Sequence, residues 1–131
     1  MITRNLAAAL FATVLAVPAF GHGPNDAAHQ SFALGDFKLE SGQAIRDFSM
    51  SYTTHGTLNA NKSNAVLMVT AISGNHHRVD YLIGPGRALD PAKYFIIATD
   101  AIGNGLTSSP SNSKAQPGMQ FPKFNIRDMV N

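Results

Sequence analysis

Two adjacent histidines, His76 and His77, with Asp80 three residues further on, are the densest group of side chains that could bind a metal ion. Imidazole and carboxylate are ordinary zinc ligands. Adjacent residues nevertheless point to opposite faces of a strand and diverge by about 100° on a helix, so they rarely bind one ion. We therefore expect a solvated loop pair, with metal binding or a substrate contact as the alternatives. His29 and His55 lie in predicted loops and indicate no site.

Asp100 follows a continuous apolar run, at the end of a predicted buried strand. α/β sheets carry functional groups at the carboxyl ends of their strands. We expect Asp100 to order the loop of residues 103–111 by accepting hydrogen bonds from its backbone N–H groups. Ser108, Ser109 and Ser111 lie in that loop. A serine nucleophile needs a strained turn and a paired base, so these three are interpreted as loop formers.

Two G-x-G patterns, at Gly84 and Gly86 and at Gly103 and Gly105, suggest a phosphate-binding turn. The dinucleotide fingerprint has a third glycine three residues later, and both patterns lack it. Gly103 and Gly105 come just after a predicted strand, where the chain must turn over the edge of the sheet. We expect these glycines to shape loops, and we expect no nucleotide, metal or other cofactor.

The N-terminus has the pattern of a secretory signal peptide over residues 1–21. Arg4 precedes an apolar run over residues 6–17, Pro18 closes the run, and small residues stand at the cleavage positions that end at Gly21. The run is short for a membrane span. Export to the periplasm or the medium is therefore expected, without a stable membrane anchor. An uncleaved anchor and a buried first helix are the alternatives.

Charge and cysteine content exclude several function classes. Loss of Arg4 with the signal peptide reduces the basic residues from 10 to 9 against 8 acidic residues, and the remaining lysines and arginines are scattered. Such a distribution does not indicate a nucleic-acid partner. The chain has no cysteine, which excludes a thiol nucleophile and disulfides. No pattern indicates an oligomeric state.

The elements that would position these residues follow from the apolar periodicity. Residues 22–36 are interpreted as a flexible lead-in, although the alternation typical of half-exposed antiparallel strands already begins at residue 32 and covers residues 32–39 and 45–52. Ser41 and Gly42 form the turn between these strands. Residues 65–69 and 94–98 are continuous apolar runs, typical of parallel strands buried on both faces, and residues 70–93 are long enough for the crossover between them.

The C-terminal residues predict the start of a helix. Asn125 and Asp128 have the spacing of an N-cap and its acidic partner, and an apolar stripe begins at Ile126. The predicted fold class is α/β, with two antiparallel strands leading into parallel strands. Too few helices are predicted to cover a parallel sheet, so the domain is expected to be incomplete.

Five segments occur in an order that resembles a known family: SGQAIRDFSMSYTTHGTLN, NAVLMVTAISGN, IGPGRALDPAKYFIIATDAIGNG, SSPSN and FPKFNIRDMV. Residues 37–131 resemble the N-terminal portion of the homoserine O-acetyltransferase group of α/β-hydrolase-fold proteins. The resemblance implies a small-molecule ester or acyl substrate and a Ser–His–acid triad whose serine lies in a G-x-S-x-G elbow. The chain contains no G-x-S-x-G. We therefore expect an N-terminal fragment that lacks the triad.

The same resemblance assigns one functional position to this chain. It matches residues 70–74 to the family's loop after the third strand, where the main-chain N–H of Ile72 would donate to the oxyanion hole and Gly74 would permit a tight approach. Without the resemblance, these residues read as a strand end followed by a turn. An exported acyl hydrolase or acyltransferase, inactive by itself, is the leading hypothesis. Hydrolysis is preferred because acetyl-CoA is a cytoplasmic donor. The alternative is a secreted binding or structural domain without catalysis.

Overall fold

The computed structural model describes residues 26–70 and 74–130. Their strands are β1 (Gln30–Lys38), β2 (Ala44–His55), β3 (Ala65–Val69) and β4 (Phe95–Thr99). They form one four-stranded sheet in the order β1-β2-β4-β3. The predicted signal peptide lies outside the described residues.

β1 and β2 form the predicted antiparallel pair, with Phe37 opposite Ile45 and Gln30 opposite Tyr52. The turn between them is closed by a 2.9 Å hydrogen bond from Gly42 N to Leu39 O, and Gly42 has the positive φ of 83° that favours glycine. Because β1 begins at Gln30, residues 30–36 of the predicted lead-in belong to a strand, and the lead-in assignment was wrong there. β1 is an exposed edge strand, where backbone pairing does not require apolar side chains.

β3 and β4 are parallel, with Ala65 opposite Phe95 and Val69 opposite Thr99. The crossover between them contains a 3₁₀ helix, His76–Leu82, which we call the crossover helix. Burial on both faces was a wrong expectation for β3, where the side chains of Leu67 and Val69 are 63% and 69% exposed. β4 lies between two strands, whereas β3 has one neighbour in the described sheet.

The C-terminal capping pair forms as the sequence predicts, although the helix it begins is one 3₁₀ turn, Arg127–Met129. Asn125 Oδ1 accepts hydrogen bonds from the N–H groups of Arg127 and Asp128, and Asp128 Oδ2 accepts one from Asn125 N at 2.9 Å. The other Asp128 oxygen accepts from Glu40 N at 2.7 Å. This residue therefore ties the C-terminal turn to the β1–β2 hairpin. Between them lies an apolar core of Leu39, Ile45, Phe48, Ile102 and Phe121.

Candidate functional site

Asp100 lies at the carboxyl end of β4, and its side chain is the centre of a buried polar network. The residue is 2% exposed. Its carboxylate accepts hydrogen bonds from Ser51 Oγ at 2.8 Å, from the backbone N–H of His76 at 3.0 Å and from Asn104 Nδ2 at 3.2 Å. A buried carboxylate needs such donors to offset the loss of water. The network joins β2, the end of β4 and the start of the crossover helix.

Asp100 does not bind the backbone N–H groups of its own loop, contrary to what was expected. The backbone N–H bound by its carboxylate belongs to His76, not to the loop of residues 103–111. Within that loop Asn104 Oδ1 accepts hydrogen bonds from Leu106 N and Thr107 N. Asn112 Nδ2 donates to three loop carbonyl groups. The loop is thus ordered mainly by two asparagine side chains, with Asn104 linking it to Asp100.

The crossover helix begins after Asn75, whose side chain caps it by accepting from His77 N. His76 points inward and is 2% exposed, and its Nδ1 lies 3.1 Å from both Asp100 oxygens. The expectation of a solvated histidine pair was therefore wrong for His76, because the cap directs this ring towards the sheet. His77 is partly exposed, and its Nδ1 lies 2.6 Å from Asp80 Oδ2.

Two further histidines lie near His76 in space, although neither is near it in sequence. His29, just before β1, places its Nε2 3.2 Å from His76 Nε2. His55, at the end of β2, lines a pocket of about 340 Å³ with His76, His77 and Asp80. His55 is therefore the last residue of a strand and not part of a loop as expected, and His29 has a partner that sequence spacing did not indicate. The signal was in β2, where the polar residues Ser51, Thr53 and His55 recur at period two and so share one face.

The pocket is polar and partly shielded from solvent. Burial lowers the pKa of His55 below its ordinary value of 6.5; the charge of Asp80 opposes this shift and that of His76 adds to it. Thr53 lines the same pocket and is 1% exposed, and its Oγ1 has no hydrogen-bond partner among the described residues. In residues 26–70 and 74–130, no group of three or more histidine or acidic side chains is arranged to hold a metal ion.

Glycines at both G-x-G patterns adopt loop conformations. Gly103 has φ 83°, and a Cβ there would lie 2.7 Å from Phe124 Cζ, while Gly105 has φ 94°. Around Gly84, with φ 148°, the Arg87 side chain donates to carbonyl groups at the end of the crossover helix. The nearby serine side chains bond within their loop or to the adjacent strand β2. Ser109 and Ser111 contact each other at 2.9 Å, and Ser108 Oγ accepts from Ser49 N at the same distance.

The proposed oxyanion donor, Ile72, lies outside the described residues. Gly74 is the first residue described after it, and its carbonyl oxygen accepts a hydrogen bond from Asn104 Nδ2 at 3.4 Å. Asn104 therefore binds both Gly74 and Asp100. The chain leaving this segment is thus attached to the carboxyl end of β4. None of the helices in the described part of the chain has the length and hydropathy to cross a lipid bilayer.

Known proteins resemble this chain in sequence and in the fold of its sheet. A homoserine O-acetyltransferase of Methanohalobium evestigatum is 42% identical over 111 residues, covering 71% of this chain and 22% of the relative. An ethyl acetate hydrolase of Pseudomonas veronii is 43% identical over 113 residues, covering 83% of this chain and 31% of the relative. The solved structure of an acetylester hydrolase from Corynebacterium glutamicum matches 79% of this chain with a TM-score of 0.73 and 42% identity. The chain is a homologue of homoserine O-acetyltransferases and acetyl esterases.

The described sheet matches the N-terminal part of an α/β-hydrolase fold and is a partial domain. A homoserine O-acetyltransferase from Bacillus anthracis matches 77% of the chain with a TM-score of 0.66 and 30% identity. The chain spans 22% to 31% of the length of the two curated relatives and 30% to 33% of the two solved structures. No protein-family model matches it.

Proposed function

We propose that this chain supplies the oxyanion side of the catalytic site of an exported serine acyl hydrolase related to homoserine O-acetyltransferases. The observation that carries the proposal is the match of its sheet to acetylester hydrolases at 42% identity. The carboxyl ends of β3 and β4 lie side by side in that sheet, and α/β folds bind their ligands at this edge.

In the proposed reaction, a serine hydroxyl attacks the carbonyl carbon of an ester while a histidine removes its proton. The alcohol then leaves, and water releases the acyl group from the serine. The backbone N–H of Ile72 would donate a hydrogen bond to the oxyanion, as the family resemblance implies. These 131 residues contain no G-x-S-x-G elbow, so we propose that the chain alone does not turn over esters.

Water is the preferred acyl acceptor. The Corynebacterium acetylester hydrolase has a TM-score of 0.73, and the homoserine O-acetyltransferase from Bacillus anthracis has 0.66 at lower identity. Export, proposed from Arg4 and the apolar run of residues 6–17, would also separate the protein from cytoplasmic acetyl-CoA. A purified exported form that begins at His22 would support cleavage after Gly21, and a form retaining Met1 would contradict it.

A chimaera tests the catalytic role. Residues 26–130 would replace the matching segment of the Corynebacterium acetylester hydrolase, and p-nitrophenyl acetate hydrolysis would be measured. We expect an active esterase. Ile72→Pro, which removes the backbone N–H, should lower kcat by about 10²–10³-fold, whereas Ile72→Val should retain activity. Equal activity of the proline and valine variants would refute the oxyanion role. Faster transfer to homoserine from acetyl-CoA than hydrolysis of esters would refute the choice of water.

A further inference from the structure

Asn104 and Gly105 form the one Asn-Gly sequence in the chain. Asparagine side chains are thermolabile, and a following glycine speeds their deamidation because it has no Cβ to hinder attack by its backbone nitrogen. Gly105 is exposed to solvent. The pair therefore has the sequence and the solvent access that spontaneous deamidation requires.

The folded chain holds the side-chain amide of Asn104 at both of its polar atoms. Oδ1 accepts hydrogen bonds from Leu106 N at 2.9 Å and from Thr107 N at 3.1 Å. Nδ2 donates to Asp100 Oδ1 at 3.2 Å and to Gly74 O at 3.4 Å. These four hydrogen bonds oppose the rotation of the side chain that ring closure needs. Deamidation therefore requires that the loop open first.

The reaction uses water as its one co-reactant. The backbone nitrogen of Gly105 loses its proton to solvent and forms a bond to Asn104 Cγ. The Cγ–Nδ2 bond breaks, and Nδ2 takes up a proton and leaves as ammonia, so that a five-membered succinimide ring remains. Water then adds to one of the two ring carbonyl groups and breaks its bond to nitrogen. The product is aspartate or isoaspartate at position 104.

The product does not fit the place that the Asn104 amide occupies. An ionised carboxylate accepts hydrogen bonds and donates none, so the bonds to Asp100 Oδ1 and Gly74 O are lost. The new negative charge would replace a donor that lies 3.2 Å from the buried Asp100 carboxylate. Two carboxylates at that distance repel each other unless one of them takes up a proton. The loop therefore loses its connection to the end of β4.

We propose that Asn104 is a modification site: it deamidates when its loop opens, and the resulting carboxylate prevents the loop from closing again on Asp100. The change is one-way because ammonia leaves. Since Asn104 also binds Gly74 O, conversion detaches Gly74 from the carboxyl end of β4. The chemistry at Asn104 does not depend on the proposed esterase activity.

The first test is incubation of the full chain at about pH 8 and about 37 °C, in buffer and in about 8 M urea. Peptide mass spectrometry measures the gain of about 1 Da at Asn104 that accompanies deamidation. We expect conversion in buffer to be at least about tenfold slower than in urea, because only the open loop reacts. Equal rates would overturn the protection by the fold. In urea, Asn104→Gln should keep its mass because ring closure then needs a slower six-membered ring, and unchanged Asn104 in urea would overturn the site itself.

The second test measures what conversion does to the loop. Asn104→Asp is compared with Asn61→Asp, whose exposed side chain accepts one hydrogen bond, from Ser63 Oγ, that aspartate is able to keep. The N–H groups of Gly103 and Ser108 form backbone hydrogen bonds, and their protection from exchange should fall about tenfold or more in Asn104→Asp only.

Unchanged protection in Asn104→Asp, or an equal loss in both variants, would overturn the effect on the loop. If Asn104→Asp does not fold, the same exchange measurement is made on the deamidated fraction of the incubated chain, separated by ion exchange. Protection in that fraction equal to that of the unmodified chain would also overturn it.

Discussion

Replacement of Asp100 by asparagine should destabilise the chain much more than the same replacement at an exposed aspartate. The Asp100 carboxylate is buried and accepts hydrogen bonds from Ser51 Oγ, His76 N and Asn104 Nδ2. Asparagine offers one acceptor oxygen and presents an NH₂ group where the second oxygen was. Hydrogen bonds to charged groups contribute about 1.5–3 kcal/mol. We expect a loss of about 2–3 kcal/mol for Asp100→Asn.

Asp36→Asn is the matched control. Asp36 is exposed and accepts one hydrogen bond, from Asp47 N at 3.2 Å, which asparagine is able to keep. A change within about 0.5 kcal/mol is expected there. Asp100→Ala leaves the buried donors without any acceptor and should cost about 3–5 kcal/mol.

Urea unfolding followed by far-ultraviolet circular dichroism measures these differences. With a urea dependence of about 1–3 kcal/mol per molar, Asp100→Asn should lower the midpoint by about 0.7 M or more. Midpoints of Asp100→Asn and Asp36→Asn within about 0.3 M of each other would refute the reasoning. A double-mutant cycle with Ser51→Ala isolates one bond, and the two effects should fall short of additivity by about 0.5 kcal/mol or more.

Three further changes test other parts of the structure. Gly56→Ala should lower the free energy of unfolding by more than about 3 kcal/mol, because the added Cβ would overlap Tyr94 O. Gly42→Ala is the control: Gly42 has a similar φ but open space around it, so the loss should be about 1–2 kcal/mol. Equal thermal midpoints of the two variants would contradict this. Burial lowers the pKa of His55 in the folded chain. As the pH falls to about 6.5, the unfolded chain therefore binds more protons at this residue than the folded chain does. The free energy of unfolding, measured in urea titrations, should fall as the pH is lowered from about 7 to about 5. The fall should be less steep in His55→Gln than in the unmodified chain. Leu67→Lys on edge strand β3 should slow aggregation measured by light scattering, and Leu67→Ile should not.

The strands were predictable because their signals are local. Residues 65–69 match β3 at both ends, and residues 94–98 differ from β4 by one residue. Each run is short, apolar and bounded by turn-forming residues, so its type does not depend on distant contacts. The Asn125–Asp128 pair was predictable for the same reason, since its partners are three residues apart.

The polar network was not predictable, because its partners are far apart in sequence. Ser51 is 49 residues from Asp100, and His29 is 47 residues from His76. Only the pairing of β2 with β4 brings Ser51 beside Asp100, through the bond from Asp100 N to Ser51 O at 2.9 Å. The local interpretation therefore gave Asp100 a partner in its own loop.

The two faces of the sheet differ in how they are completed. On one face, Ser51, Asp100 and His76 satisfy one another within the described residues. On the other, an apolar pocket of about 360 Å³ is lined in part by Met50, Val69, Ile102 and Met129, and Val69 is largely exposed. Polar groups buried without partners would be far more costly than exposed apolar ones. The chain therefore satisfies the Ser51–Asp100–His76 network from its own residues, while its apolar side is where additional burial would add most to its stability.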